Sequence, residues 1–365
     1  MQHLLQAVVF SCESWYVGAG FAGLAAAIAF ERQGHDVTVF EAAEGPSSAG
    51  GAISLARNAL ACLQILGVRT HIATQSWSHT PATVRASDGQ VLVRSTLAQL
   101  TGGGEYATVA RSQLIAWLSD ALPPDRVHYA LRVARVGADG TIETAGTAER
   151  FDMVVGADGA RGVVRKLLWS DAPALRPTGI TGWAWTTDHQ LQTGFGPIWG
   201  RTADFGILPL VDGRTYVYGG TRVRGTDLES FRTWPAPLPA LIDAAQPGQM
   251  ITPEIFEARP PRHVARGKVV LIGDAAHTMR PTFGQGAALA MEDAITLAYR
   301  GTAGLSRRWL RTLALHQASK AGSYFAAPQL AALESLRNSV LRLLPDPAFG
   351  VIAGSVSRWS PVLTV

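Results

Sequence analysis

The six residues Gly18-Ala19-Gly20-Phe21-Ala22-Gly23 constrain this chain more than any other stretch of it. They follow a short run, Trp15-Tyr16-Val17, that reads as a strand. They precede an alanine-rich segment, Leu24 to Gln33, that reads as a helix stopped by Gly34. Val37-Thr38-Val39-Phe40 then reads as a second buried strand ending at Glu41. Together these make a βαβ unit with a parallel sheet. In such a turn Gly18 permits the tight exit from the strand, Gly20 lets the backbone approach a pyrophosphate, and Gly23 lets the helix pack closely. The helix N-terminus offers free N–H groups and positive dipole character to phosphates. Glu41 can accept hydrogen bonds from ribose hydroxyls and repels a 2′-phosphate, which favours FAD or NAD over NADP at this site. The glycine pattern alone also suits a purely structural turn; the helix, the second strand and Glu41 together point to a dinucleotide.

Further along, two textures alternate. Helix is predicted over Arg111 to Leu122, and a buried strand over Asp152 to Val155, entering Gly156-Ala157-Asp158-Gly159. Another buried strand, Val269 to Ile272, enters Gly273-Asp274. Helix follows over Gly286 to Tyr299, with Gly301 behind it, then over Ser306 to Phe325 and Gln329 to Leu344. Between these lies β-hairpin material. Thr83-Val84-Arg85-Ala86 and Val91-Leu92-Val93-Arg94 flank an Asp88-Gly89 turn, and Ile180 to Arg222 reads as antiparallel strands around Asp212-Gly213. The fold class expected is α/β: a Rossmann-like nucleotide domain with a parallel sheet (1–75, 97–175 and 264–325), interrupted by a β-rich substrate domain (76–96 and 176–263) and followed by C-terminal helices (326–365).

Charge and cysteine usage exclude several classes. A net charge of +4 from scattered Lys and Arg makes no nucleic-acid arm. Two cysteines, Cys12 and Cys62, make neither a disulfide framework nor a C-x-x-C pair, which suits a reducing, cytoplasmic setting. Leu4 to Phe10 before Ser11-Cys12 is a weak lipoprotein-like signal without a basic lead, and no apolar run is long enough to span a bilayer. The histidines, among them His189 and His263, show no metal spacing, so no metal is expected.

The order G-x-G-x-x-G, then Gly156-Ala157-Asp158-Gly159, then Gly273-Asp274-Ala275-Ala276-His277 with Pro281 and Gly284-Gln285-Gly286-Ala287, resembles the single-component (group A) FAD-dependent aromatic monooxygenases, the 4-hydroxybenzoate and salicylate hydroxylases. The resemblance runs from about Ser14 to about Tyr299; the set of three is specific, though no one motif is. It implies that Gly18, Gly20 and Gly23 hold the FAD pyrophosphate and Glu41 the adenosine ribose. It assigns Arg111 to the pyrophosphate and ribityl region, the Val133 backbone to adenine, and Asp158 to the motif shared by FAD and NAD(P)H. Asp274 would hold the ribityl chain. Gly284, Gly286 and Ala287 would face the flavin, and Pro281 would lie beside the ring where oxygen reacts. The chain departs from the family pattern at Glu13-Ser14-Trp15-Tyr16, where small aliphatics are usual and bulky rings need space, at Gly162, where Ser is common, and at Ala288, where Asn is common.

The activity implied is hydroxylation of an aromatic or polycyclic small molecule with NAD(P)H as co-substrate and O2, through a flavin C4a-hydroperoxide. An FAD-dependent reductase, dehydrogenase or epoxidase, or a non-turnover small-molecule binder, are the alternatives. No nucleic-acid or membrane partner is expected, and the chain is expected to act as a monomer or homodimer. His277 reads as part of a structural turn rather than as a catalytic base. Trp183 and Trp185 share one face of a strand and, with Trp199, Phe205 and Pro281, either wall an aromatic substrate pocket or, for the rings of the sheet, pack a core.

Overall fold

A computed structural model describes residues 13–46, 51–72, 77–246 and 248–359. Leu4 to Phe10 and Cys12 lie outside the described residues. Six strands form the first sheet, in the spatial order Ala265–Arg266, Val269–Leu271, Met153–Gly156, Glu13–Val17, Asp36–Phe40 and Val127–His128. All neighbours are parallel except the Ala265–Arg266 edge. Val17 pairs with Gly156, and Gly156 with Leu271. The three glycine-bearing turns therefore leave adjacent strands at one level, at the carboxyl ends where open α/β sheets hold their ligands.

Helix Phe21–Glu31 begins three residues earlier than its sequence pattern suggests, because Gly20 already serves as its N-cap. Its alanines are buried, and it packs on helix Gly286–Arg307, whose Gly301 takes a positive φ of 59° and breaks the helical path. Those alanines also leave room for Tyr16, one of the rings of the unusual first strand. Tyr16 is fully buried in the same cluster, its ring 6.1 Å from Phe30. Several elements were not legible in the sequence, among them the paired strands Ala52–Leu55 and Ala107–Ala110, helix Arg57–Ile65 and a short helix, Asp346–Ala353.

The second sheet has seven strands, in the order Glu254–Glu257, Arg176–Thr187, Thr215–Thr221, Ala203–Pro209, Gly196–Trp199, Pro81–Ala86 and Val91–Thr96. The early hairpin joins it through a parallel pairing of Ile198 with Arg85. Strand parity and register divide its side chains into two faces. Trp183, Trp185, Phe205, Ile207 and Val217 share one face and pack with Phe231, Leu238 and Leu241 into a core. Trp183 stacks on Phe205 with centroids 6.2 Å apart, and the Trp185 indole N–H donates to the Leu241 carbonyl at 3.1 Å. Of the two readings open to these rings, the structure gives Trp183, Trp185 and Phe205 the packed one, which corrects their expectation as pocket wall. The opposite face carries Tyr216, Tyr218, Asp204 and Trp199.

Candidate active site

Each glycine of the first motif is required by a different neighbour. Gly18 has φ +108°, and a Cβ there would lie 2.6 Å from the Ala157 carbonyl oxygen. A Cβ on Gly23 would lie 1.9 Å from the Gly18 carbonyl oxygen. A Cβ on Gly20 would meet nothing within 4 Å, so this turn opens onto free space in front of the N-terminus of helix Phe21–Glu31. Glu41 ties the turn to the second strand: its carboxylate accepts from the Ala19 N–H at 2.7 Å and from the Ala43 N–H at 2.8 Å. Val133 is buried nearby, and among the described residues its own N–H and C=O make no main-chain hydrogen bond.

The other two motifs close around the same end of the sheet. Asp158 caps helix Val163–Leu168, its Oδ2 accepting from the Val164 N–H at 2.9 Å, and burial pushes its carboxyl above the usual range. A Cβ on Gly162 would lie 2.1 Å from the Asp158 carboxyl carbon, which explains the missing side chain at that departure from the family pattern. Arg165 binds the Ala275 and Ala276 carbonyls at 3.1 and 3.2 Å, linking the second motif to the third. Asp274 is exposed at the strand end, and its Oδ1 lies 4.0 Å from where a Gly286 Cβ would stand. Partial desolvation against the protein raises the Asp274 carboxyl, while His277 and Arg111 pull it back. Arg111 stacks over the Phe21 ring at 4.8 Å; among the described residues its guanidinium has no hydrogen bond or ion pair. Gly284 is left-handed at φ +62°, beside Ser54, and Pro281 is exposed at the start of the same turn, while Ala287 is buried in the first turn of the long helix.

An open glycine turn at a helix N-terminus, an arginine without a partner among the described residues, and an exposed acid beside a bare helix start suit a dinucleotide with a polyol linker. The comparisons agree. Residues 243–306 match the family described as an FAD binding domain, and residues 17–63 match an NAD(P)-binding Rossmann-like domain. The 2-heptyl-3-hydroxy-4(1H)-quinolone synthase of Pseudomonas aeruginosa is 35% identical over 303 residues, spanning 77% of this chain and 78% of that one. The chain belongs to the FAD-dependent aromatic monooxygenases.

Other members of the family are similar over the same share of the chain. The aurachin C monooxygenase/isomerase of Stigmatella aurantiaca is 30% identical over 77% of this chain and 78% of its own. The FAD-dependent urate hydroxylase of Klebsiella pneumoniae is 30% identical over 77% and 79%. Among solved structures, a variant of Klebsiella pneumoniae HpxO complexed with FAD superposes with a TM-score of 0.84 at 25% identity, covering 95% of this chain and 98% of that one. This monooxygenase is thus an enzyme whose cofactor is FAD and whose electron donor is NAD(P)H. Among its described residues no helix is long and apolar enough to cross a membrane.

What sequence reasoning missed in the monooxygenase is the support beneath the flavin-facing turn. The Asn58 amide donates to Gln285 Oε1 at 2.9 Å and to Glu292 Oε1 at 2.6 Å. Glu292 and Asp293 share Arg308, Glu292 also takes Arg311, and Asp293 also takes His277 Nε2 at 2.6 Å and the Gly273 N–H at 3.2 Å. Burial disfavours the Asp293 anion, but His277 and Arg308 outweigh it and hold the carboxyl down at about 2. His277 is therefore spent on a buried carboxylate, in keeping with a structural role. This network locks both the Gly273 turn and the Gln285 loop to the long helix. Adjacent Glu292 and Asp293 on one apolar helix were the only sequence signal for it.

Proposed function

We propose that FAD lies along the first glycine turn, with its pyrophosphate at Gly18, Gly20, Gly23 and Arg111, its adenosine at Glu41 and Val133, and its ribityl chain at Asp274. Gly284, Gly286 and Ala287 then present main-chain N–H groups to the flavin, Asp158 belongs to the supporting turn, and Pro281 stands at the edge of the ring. The observation that carries this reading is the meeting of Arg111, Asp274 and Gly286 at one strand end, with Gly20 open in front of a helix N-terminus.

Bound FAD supplies hydride acceptance from NAD(P)H and the activation of O2 for transfer to an aromatic or heteroaromatic ring. The chain itself positions the reactants and excludes water. The 1–75, 97–175 and 264–325 segments act as the FAD domain, 76–96 and 176–263 as the substrate domain, and 326–365 as a helical cover. The substrate sits against the sheet face bearing Tyr216 and Tyr218, opposite the Pro281–Gly284 turn. Three contacts support this placement. Tyr216 lies against Gly51, whose Cβ would stand 2.5 Å from its ring. The Tyr106 hydroxyl meets Ser54 at 3.1 Å and Thr108 at 3.0 Å. Ser54 in turn borders Gly284. The face is apolar enough that burial pushes the Tyr216 phenol up to about 12. The relatives' substrates make aromatic nitrogen heterocycles the first compounds to try. A need for NAD(P)H favours a cytoplasmic setting, and the reading includes action there as a monomer or homodimer.

The test is a flavin spectrum of the purified protein, followed by NADPH oxidation with and without candidate aromatics. Bound FAD with oxidation stimulated by an aromatic and matched by a hydroxylated product is the expected result. Stimulated oxidation without oxygen incorporation would turn the reading to a reductase.

A further inference from the structure

The face that carries Tyr216 and Tyr218 also carries one acid, Asp204, opposite Trp199 on one neighbouring strand and Gly220 on the other. Its partner on one side thus has no side chain to cover it. The strand neighbour on the same face, Gly206, is bare as well, and the Tyr218 ring fills that space: a Cβ there would lie 2.2 Å from it. The carboxylate is half-buried, and among the described residues it makes no hydrogen bond and no ion pair. A desolvated acid without a donor is costly unless something else supplies one.

Two arginines are near enough to act on it, yet both are committed elsewhere. Arg222 donates to the Ala327 carbonyl at 2.9 Å and the Ser323 hydroxyl at 2.6 Å. Arg337 donates to the Phe325, Ala326 and Trp199 carbonyls and to Asn338 Oδ1. Despite them, burial pushes the Asp204 carboxyl up to about 6. Arg222 in turn shares Ser323 and the Tyr324 ring with Arg280, the residue before Pro281. Asp204 therefore lies on the proposed substrate face, at the end nearest the Pro281 turn.

The Trp199 ring on the other side of Asp204 is already packed against Phe325 and Phe349, so the open side of the acid is the one toward Tyr218. We propose that Asp204 determines substrate specificity, its carboxylate accepting a hydrogen bond from a ring N–H of a neutral heteroaromatic substrate held beside Tyr218. The class follows from the charges. An aromatic carboxylate would bring a second anion against Asp204, and a cation would face Arg222 and Arg337. A neutral ring donor satisfies the acid and adds no charge. The proposal rests on the monooxygenase reading of this face.

The FAD-loaded enzyme would be titrated with 4(1H)-quinolone, its N-methyl analogue and salicylate, and binding read from the change in visible flavin absorbance. Wild type should bind the N–H compound at least tenfold more tightly than either of the others. Asp204→Asn keeps the volume and removes the charge; it should erase most of that preference, with FAD content and melting temperature unchanged. Asp204→Ala should raise KM for an N–H substrate at least tenfold while moving kcat less. Equal binding of the N–H and N-methyl compounds by wild type, binding of none of the three, or an unchanged ratio in Asp204→Asn would overturn the proposal. Failure of the underlying reading shows separately, as wild type that retains no FAD or oxidises NADPH without response to any aromatic.

Discussion

Asp274 Oδ1 stands 4.0 Å from the point where a Gly286 side chain would begin, so the strand-end acid and the bare helix start form one surface. That surface suits a ribityl chain lying between a carboxylate and main-chain N–H groups. Asp274→Ala should weaken FAD binding by roughly tenfold or more, the scale of a lost hydrogen bond to a charged group. Glu41→Ala should weaken it too, by a different route, since Glu41 holds the Ala19 and Ala43 N–H groups in addition to its proposed place at the adenosine. Fluorescence titration with FAD reads both; unchanged affinity in both variants would refute the assignments.

Gly20 and Gly23 separate cofactor space from packing space. Gly20→Ala adds a Cβ that meets no protein atom, so the apo protein should melt as wild type does while FAD affinity falls. Gly23→Ala places a Cβ 1.9 Å from the Gly18 carbonyl oxygen, and overpacking of that kind costs about 1–3 kcal/mol or more. It should lower the melting temperature even without cofactor. Apo melting curves side by side decide the matter: equal losses in both variants would mean that Gly20 is structural as well.

The contrast between those two glycines also shows what the sequence carries. Turn chemistry is local, so the motifs at Gly18, Gly156 and Gly273 were legible with their strands, and Asp-Gly turns disclosed the hairpins at 88–89 and 212–213. Parity placed Trp183 and Trp185 on one face, but which face meets the cofactor depends on how the sheet docks, and no local rule contains that. The Asn58–Glu292 bond spans 234 residues of sequence, so nothing near either residue announces it. Asp204 escaped notice for the same reason: its isolation is a property of partners that are absent from it in space.

The buried network should set the acid limit of stability. Asp293 falls from 3.8 to about 2 in the fold, a depressed carboxyl, so its contribution is present above the unfolded value and is lost as pH drops through the folded one. A shift of that size is worth about 2 kcal/mol. His277 has the opposite sign: its folded value is raised, so its contribution is complete below the unfolded value near 6.5 and fades as pH rises through the folded one. Urea unfolding of wild type and Asp293→Asn should show a gap that is widest between those limits and narrows from pH 4 toward pH 2. A gap constant over that acid range would mean that Asp293 contributes packing but no linked proton.

Trp185 and Tyr218 belong to opposite faces of the same sheet, and their variants should fail in different ways. Trp185 is fully buried and hydrogen-bonded to the Leu241 carbonyl, so Trp185→Ala leaves a cavity in the aromatic core and should cost about 3–5 kcal/mol. Phe205→Ala should behave alike, because its ring meets Trp183, Phe231 and Trp234. In the fraction that folds, the ratio of product formed to NADPH oxidised should stay near the wild-type value. Tyr218→Phe removes one hydroxyl from the proposed substrate face and should leave the melting temperature nearly unchanged. Chemistry at the flavin tolerates little misplacement, about 100-fold for roughly 1 Å, so a substrate less firmly held should be oxidised less often per reduced flavin. Hydrogen peroxide released per NADPH consumed measures this directly. Leakage in Trp185→Ala with none in Tyr218→Phe would move the substrate to the other side of the sheet.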